Sequence, residues 1–291
     1  MNDIEATGDN AQQITFWNGE AGNLWSQRND EMDRMLRPLG AQAIESSAVR
    51  AGEFVLDIGC GCGGTTLDLA LAVGDTGHVL GVDVSAPMLA KAESVAQQGS
   101  QEHQGRVSFQ LSDASSVHFR AAAYDLLFSR FGVMFFSDPV SAFSNMRQAL
   151  KTGGRLTFLC WGPADQNEWI MVPMKATREH LPAREPMDPK APGPFAFADT
   201  TYVNQVLESA GFTDVSFEAT TPEMRIGDGK SPDKAVDFFM ELGPVAGTLK
   251  EQPDSVRALA REAIKSVVDK RYENGFVCLQ AKCWIVSAKN P

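Results

Sequence analysis

A doubly wound α/β fold with a mostly parallel sheet is predicted by three observations in this 291-residue chain. The apolar run Val55-Leu56-Asp57-Ile58 enters a glycine-rich turn, Gly59 to Gly64, that opens into the helical pattern Leu67–Ala72. Two further short apolar segments, His78–Asp83 and Arg106–Leu111, each close on an acid, Asp83 and Asp113. Helix-like stretches between such strands are the rhythm of a parallel sheet covered on both faces.

The elements follow in order. Residues 1–13 open on the polar, acidic Met1-Asn2-Asp3-Ile4-Glu5 and are expected to form a disordered tail, with no signal-peptide character. Residues 14–48 form an N-terminal helical arm, carrying Trp17 and Trp25 before a helix-like stretch from Ser26 to Leu36. The two tryptophans suit either a lid over a ligand or simple docking of the arm on the core. At the glycine turn a buried strand ends where bare backbone meets a helix N-terminus, an arrangement suited to a nucleotide-type ligand. Ser85 resembles an N-cap and Pro87 an early helical residue of the helix through Glu93. Tyr124–Arg130 is a fourth strand running into the aromatic loop Phe131–Phe136. Pro139 starts a helix through Leu150, Gly153-Gly154 stops it, and Arg155–Trp161 is the fifth strand.

After Trp161 the rhythm breaks. A loop-rich and helical cap is expected at about 163–199, with a helix from Asn167 to Leu181 and a Pro/Gly-rich linker from Pro182 to Phe197. A helix over Thr200–Ala210 ends at Gly211, and Thr213–Ala219 alternates as a strand. A second cap insertion, about 228–274, carries helices near Ser231–Leu242 and Asp254–Tyr272. Phe276–Ala288 is expected as one last strand, with Cys278 and Cys283 on its opposite faces.

Gly59, Gly61 and Gly64 satisfy G-x-G-x-x-G, so the turn alone also fits a dinucleotide. The acid two residues before Gly59 argues otherwise: Asp57 would repel a pyrophosphate and attract an amino group, directly or through water. Three acids closing three consecutive strands, Asp57, Asp83 and Asp113, exceed what one dinucleotide ribose requires. The run D-x-G-x-G-x-G from Asp57 to Gly63 resembles motif I of the class I S-adenosylmethionine-dependent methyltransferases. The resemblance covers about residues 50–162 and extends to the turn Leu150-Lys151-Thr152-Gly153-Gly154-Arg155-Leu156.

The resemblance implies a Rossmann-like seven-stranded sheet, mostly parallel with an antiparallel last strand, over residues 49–291. It implies S-adenosyl-L-methionine as cofactor, with Asp57, Gly59 and Gly61 at its methionine end and Asp83 on both ribose hydroxyls. Val84 and Met88 would pack on the adenine, although Met88 equally suits helix–sheet core. Asp113 would accept from the adenine amino group while the Ala114 N–H donates to the ring, and Ser129 would line the methionine part. Arg130 falls at the substrate mouth, with Phe131, Met134 and Phe135 as walls of an apolar pocket or as core.

Composition bounds the partners. With 26 basic and 37 acidic residues the formal net charge is −11, and no Lys/Arg cluster interrupts it, which argues against nucleic acid and for a small-molecule substrate. No apolar run approaches the roughly 20 residues of a membrane span. Five cysteines, an odd count, suit a reducing, cytoplasmic setting, and a homodimer is compatible with the sequence. Cys60 and Cys62 lack a second ligand pair nearby, so no metal is expected, and Cys160 is a weaker candidate nucleophile or metalloid ligand. His78, His103 and His118 read as incidental or solvent-facing; His180, in the cap helix beside Arg178 and Glu179, is placed to reach a substrate but reads rather as a surface histidine. Glu168 and Arg130 are alternatives for orienting a polar acceptor, and none qualifies as a catalytic residue. Two other classes fit part of the pattern: an NAD(P)-dependent oxidoreductase and a non-catalytic S-adenosylmethionine-binding protein.

Overall fold

The computed structural model describes residues 4–98, 106–182 and 188–291. Three helices lead, α1 (Ala11–Asn18), α2 (Glu20–Gln27) and α3 (Asn29–Ser46). The parallel α/β half follows as β1 (Phe54–Ile58), α4 (Gly64–Val73), β2 (His78–Asp83), α5 (Ala86–Gln98), β3 (Val107–Leu111), β4 (Tyr124–Arg130), α6 (Pro139–Arg147) and β5 (Leu150–Trp161). The remainder comprises α7 (Glu168–Thr177), α8 (Thr200–Ser209), β6 (Thr213–Thr220), β7 (Glu223–Ile226) and α9 (Pro232–Glu241). It ends with α10 (Ala246–Lys250), α11 (Asp254–Arg271), β8 (Tyr272–Glu273), β9 (Phe276–Gln280) and β10 (Cys283–Lys289).

Seven strands form the main sheet in the order β3-β2-β1-β4-β5-β10-β6, all parallel except β10, which runs antiparallel to both neighbours. β1 and β4 lie at its centre and are buried almost throughout, which is why Val55-Leu56 and Leu126-Leu127-Phe128 are apolar without alternation. β6, at the edge, is largely exposed and alternates. The chain leaves β1 toward β2 on one side, while β4 pairs with β1 on the other. The crevice between the β1 and β4 ends is therefore the topological switch point, where open α/β sheets receive ligands.

The structure differs from the sequence expectations in four places. Residues 10–13, assigned above to a disordered tail, are placed: α1 begins at Ala11, and Asn10 is buried by hydrogen bonds to Asp113 and Ser137. Residues 1–3 and His103 lie outside the described residues, as does the 183–187 part of the proline-rich linker. The helix expected through Leu150 ends at Arg147, because the Ala149 carbonyl accepts from the Ala123 and Tyr124 amides and Leu150 pairs with Tyr124. The arm helix expected over Ser26–Leu36 instead breaks after Gln27 and runs on to Ser46.

The fourth difference is the largest. The last strand expected over Phe276–Ala288 is two strands in two sheets. β9 joins a separate antiparallel sheet, β7-β9-β8, and β10 joins the main one. The buried side chain of Asn167 occupies the break, accepting from the Lys282 N–H at 2.9 Å and donating to the Pro163 carbonyl at 2.9 Å. Cys278 and Cys283 consequently do not share a strand.

Leu127, fully buried in central β4, should lose ~2–5 kcal/mol of stability on truncation to alanine. Leu71→Ala, at a half-exposed position of α4, should change stability by under ~0.5 kcal/mol. Urea denaturation checks both; similar effects at the two sites would contradict the assigned core.

Candidate active site

A cavity of about 520 Å³ opens at the C-terminal ends of the parallel strands. Its floor is the glycine turn between β1 and α4. Gly59 and Gly61 both adopt left-handed backbone (φ +65° and +57°), where a side chain would be strained. A Cβ on Gly59 would also stand 2.7 Å from the Gly132 Cα, and one on Gly61 2.9 Å from the Met88 Cε. The first glycine thus lets two loops cross, and the second keeps the cavity floor bare. Cys60 and Cys62 line this floor as neutral thiols: burial pushes Cys60 up strongly and Cys62 up to about 12, and Asp83 adds to both.

Asp83, at the end of β2, accepts from the Gly61 N–H at 2.8 Å with one oxygen and from the Ser85 N–H at 2.8 Å with the other. Burial pushes its carboxyl up, and the Ser85, Gly61 and Val84 amides pull it partly back. A carboxylate offers about four lone-pair sites, so Asp83 keeps acceptor capacity on the cavity side. Val84, Met88, Asp113 and Ala114 also line the wall, and Met88 is at the same time buried core.

Two residues selected from sequence are not on that wall. Asp57 is fully buried behind the glycine turn, where one oxygen accepts from the Thr66 hydroxyl at 2.7 Å and the other has no hydrogen-bond partner. Burial pushes its carboxyl up to about 7. Ser129 is also fully buried, its hydroxyl accepting from the Gly132 N–H at 3.1 Å. Both residues shape the loops from behind: a strand that alternates about its axis can present only some side chains at its end. Cys160 is likewise buried, its thiol directed at the Phe197 and Trp284 carbonyls.

The arm supplies what the sequence pattern did not announce. Asn10 donates to the Asp113 carboxylate at 3.1 Å and accepts from the Ser137 N–H at 2.9 Å. Asn18 donates to the Val84 carbonyl at 2.7 Å and accepts from the Ala86 N–H at 3.0 Å, while Ser85 donates to the Trp17 carbonyl at 2.6 Å. The arm therefore lies across the ends of β2, β3 and β4. Trp17 meets Trp25 and Phe135 edge-on, at centroid distances of 5.9 and 5.4 Å.

Beyond the end of β4 the wall becomes aromatic. Phe131 holds φ +62°, a backbone state rare for a bulky residue that costs about 1–3 kcal/mol. Its ring stacks on Trp161 at 4.1 Å, and Trp161 lies 4.8 Å from Trp169, which faces Phe195. Met224 of β7 and Phe238 of α9 also line the cavity. No histidine is among the described lining residues. His78 bonds Ser108 within the sheet, and Glu168 accepts from the Gln280 N–H, tying α7 to β9. Arg130 is on the wall, opposite Asp33 of α3.

The buried Asp57 generates a pH prediction. Its folded value, about 7, lies above the ordinary aspartate value of 3.8, so the folded state keeps a proton that the unfolded chain releases. The stabilisation is full below pH 4 and is lost as pH rises through 7. Urea denaturation should show wild type losing ~2–3 kcal/mol relative to Asp57→Asn between pH 5 and 8. Parallel pH profiles would contradict it.

A family model described as a methyltransferase domain matches residues 55–154. The aklanonic acid methyltransferase DauC of Streptomyces sp. (strain C5) is 31% identical over 150 residues, spanning 50% of this chain and 67% of that protein. The nocamycin O-methyltransferase of Saccharothrix syringae is 25% identical over 247 residues, 79% of this chain and 83% of that one. A phosphoethanolamine N-methyltransferase 2 of Haemonchus contortus, solved with phosphomonomethylethanolamine and S-adenosylhomocysteine, superposes with a TM-score of 0.57 at 17% identity, over 98% of this chain and 60% of that one, a likeness of fold. The bare glycine floor, the acid-lined strand ends and the remaining acceptor capacity of Asp83 fit S-adenosyl-L-methionine. The chain belongs to the class I S-adenosylmethionine-dependent methyltransferases.

Proposed function

We propose that this enzyme methylates a small, largely apolar, ring-bearing molecule. The observation that carries the reading is the aromatic end of the cavity, where Phe131, Trp161, Trp169 and Phe195 stand in sequence beyond β4. Flat, polarisable walls favour a flat acceptor through offset stacking. The names of the two relatives, aklanonic acid and nocamycin methyltransferases, support a secondary metabolite of that kind. The net charge of −11 disfavours nucleic acid.

In this reading the residues divide their work along the cavity. Asp83 would accept from the ribose hydroxyls, Val84 and Met88 would give apolar contact to the adenine, and Asp113 with the Ala114 N–H would address its edge. The Gly59–Gly61 backbone would hold the methionine part. When bound, the cofactor supplies a methyl group on a positively charged sulfur, an electrophile that needs no further activation. The remaining task is to hold an oxygen, nitrogen or carbon nucleophile in line with that bond, and such positioning supplies roughly 7–11 kcal/mol of a barrier. The arm, clasped over the strand ends by Asn10 and Asn18, excludes water from the path. Five free thiols favour the cytoplasm as its setting.

Two measurements test the reading. Asp83→Ala should weaken S-adenosylhomocysteine binding about tenfold or more by calorimetry, because it removes charged acceptors from a buried site; unchanged affinity in a folded variant would contradict the ribose assignment. Transfer of label from methyl-labelled S-adenosylmethionine should favour polycyclic phenols and quinols over phosphoethanolamine and over RNA. Preference for either of the latter would overturn the acceptor class.

A further inference from the structure

The geometry points to Asp33 and Arg130 as a charge pair that grips the amino-acid end of the cofactor, Asp33 taking the ammonium and Arg130 the carboxylate. The inference deepens the methyl-transfer reading and rests on it. Asp57, the acid that the sequence offered for the ammonium, is sealed behind the glycine turn. Besides Asp83, an acid from α3, Asp33, lines the cavity at the end of this turn, against Gly64.

Asp33 lies directly on the N-terminus of α4. A Cβ on Gly64 would stand 2.4 Å from the Asp33 Oδ1, so the glycine is what admits this carboxylate. The same oxygen faces the Arg130 guanidinium at 3.5 Å, and both side chains line the cavity. The pair is held from both sides: the Arg130 stem packs on α3, where a Cβ on Gly40 would stand 3.1 Å from its Cδ. Yet Asp33 Oδ1 is buried and has no hydrogen-bond partner, the guanidinium being too distant to donate. A buried carboxylate oxygen without a donor is costly, and an ion pair lacking hydrogen bonds offsets that cost poorly.

A ligand that resolves this deficit brings a compact cationic donor to Asp33 and an anionic acceptor to Arg130. An ammonium provides three N–H donors, and a guanidinium fork matches a carboxylate. An α-amino acid carries both groups on one carbon, matching two opposite charges set side by side. The position is also right, between the glycine floor and the end of β4, on the side of Asp83 away from Asp113.

Calorimetry on the full chain with two ligands tests this: S-adenosylhomocysteine, which has the amino-acid tail, and 5′-methylthioadenosine, which lacks it. Asp33→Asn should weaken S-adenosylhomocysteine about 10- to 100-fold while leaving methylthioadenosine within about twofold. Arg130→Gln should show the same selectivity, guarding against a peculiarity of one variant. Unchanged affinities would overturn the inference, as would equal losses for both ligands. A variant at Asp33 that lowers turnover with S-adenosylhomocysteine affinity intact would overturn it too, assigning the residue to the acceptor instead. Wild-type protein that binds neither ligand would sink the methyl-transfer reading itself, an outcome separate from wild-type binding with indifferent variants.

Discussion

The Asp83 carboxylate holds the Gly61 and Ser85 amides at once, and the loops around the cavity are referenced to that double contact. Charge-assisted bonds of this kind are short and about twice as strong as neutral ones. They join the turn after β1 to the turn after β2, so the glycine floor and the start of α5 cannot move independently. The same β2–α5 turn then anchors the arm, through Ser85 to Trp17 and through Val84 and Ala86 to Asn18. Holding a charged acid at this half-buried place is unfavourable, desolvation pushing Asp83 up, and the backbone donors around it offset that push in part.

From that anchor the cavity acquires two chemically distinct ends. The end under α1 is polar, with Asp83, Asp113 and Asn10 converging on the strand ends. The end beyond β4 is aromatic, built from the strained Phe131 and its stack on Trp161. Arg130 marks the change from one to the other. The arm also reaches the cap, Arg28 pairing with Glu241 of α9 and Glu20 with Lys250 of α10. Exposed pairs such as Glu20–Lys250 contribute little to stability. The hydrogen bonds at Asn10 and Asn18, in contrast, lie largely out of solvent.

What could be read from the sequence was local. β1 to β4 announce themselves by apolar runs, and Asp83 and Asp113 by falling where those runs stop, so the parallel half of the sheet and two acids of the cavity wall were legible. The features missed depend on partners distant in the chain. Asn10 looks like tail until Asp113, 103 residues on, supplies its partner. Asp33 is one acid among several on α3, and only the fold sets it against Gly64 and Arg130. Phe276–Ala288 alternates well enough for one strand; the buried Asn167 that divides it lies 115 residues earlier. Asp57 shows the converse error. Its motif position was correctly identified, but which way its side chain points is decided by the pleat of β1.

We propose that the strand-end acids and the N-terminal arm together enclose one molecule of S-adenosylmethionine. A crystal structure of the full chain with S-adenosylhomocysteine tests it most directly. The ribose is expected at Asp83, the adenine between Met88 and Asp113 beneath Asn10, and the tail turned toward Asp33, with the aromatic end left open. Density for the nucleoside among Phe131, Trp161 and Trp169, or an arm displaced from the strand ends in the complex, would contradict it.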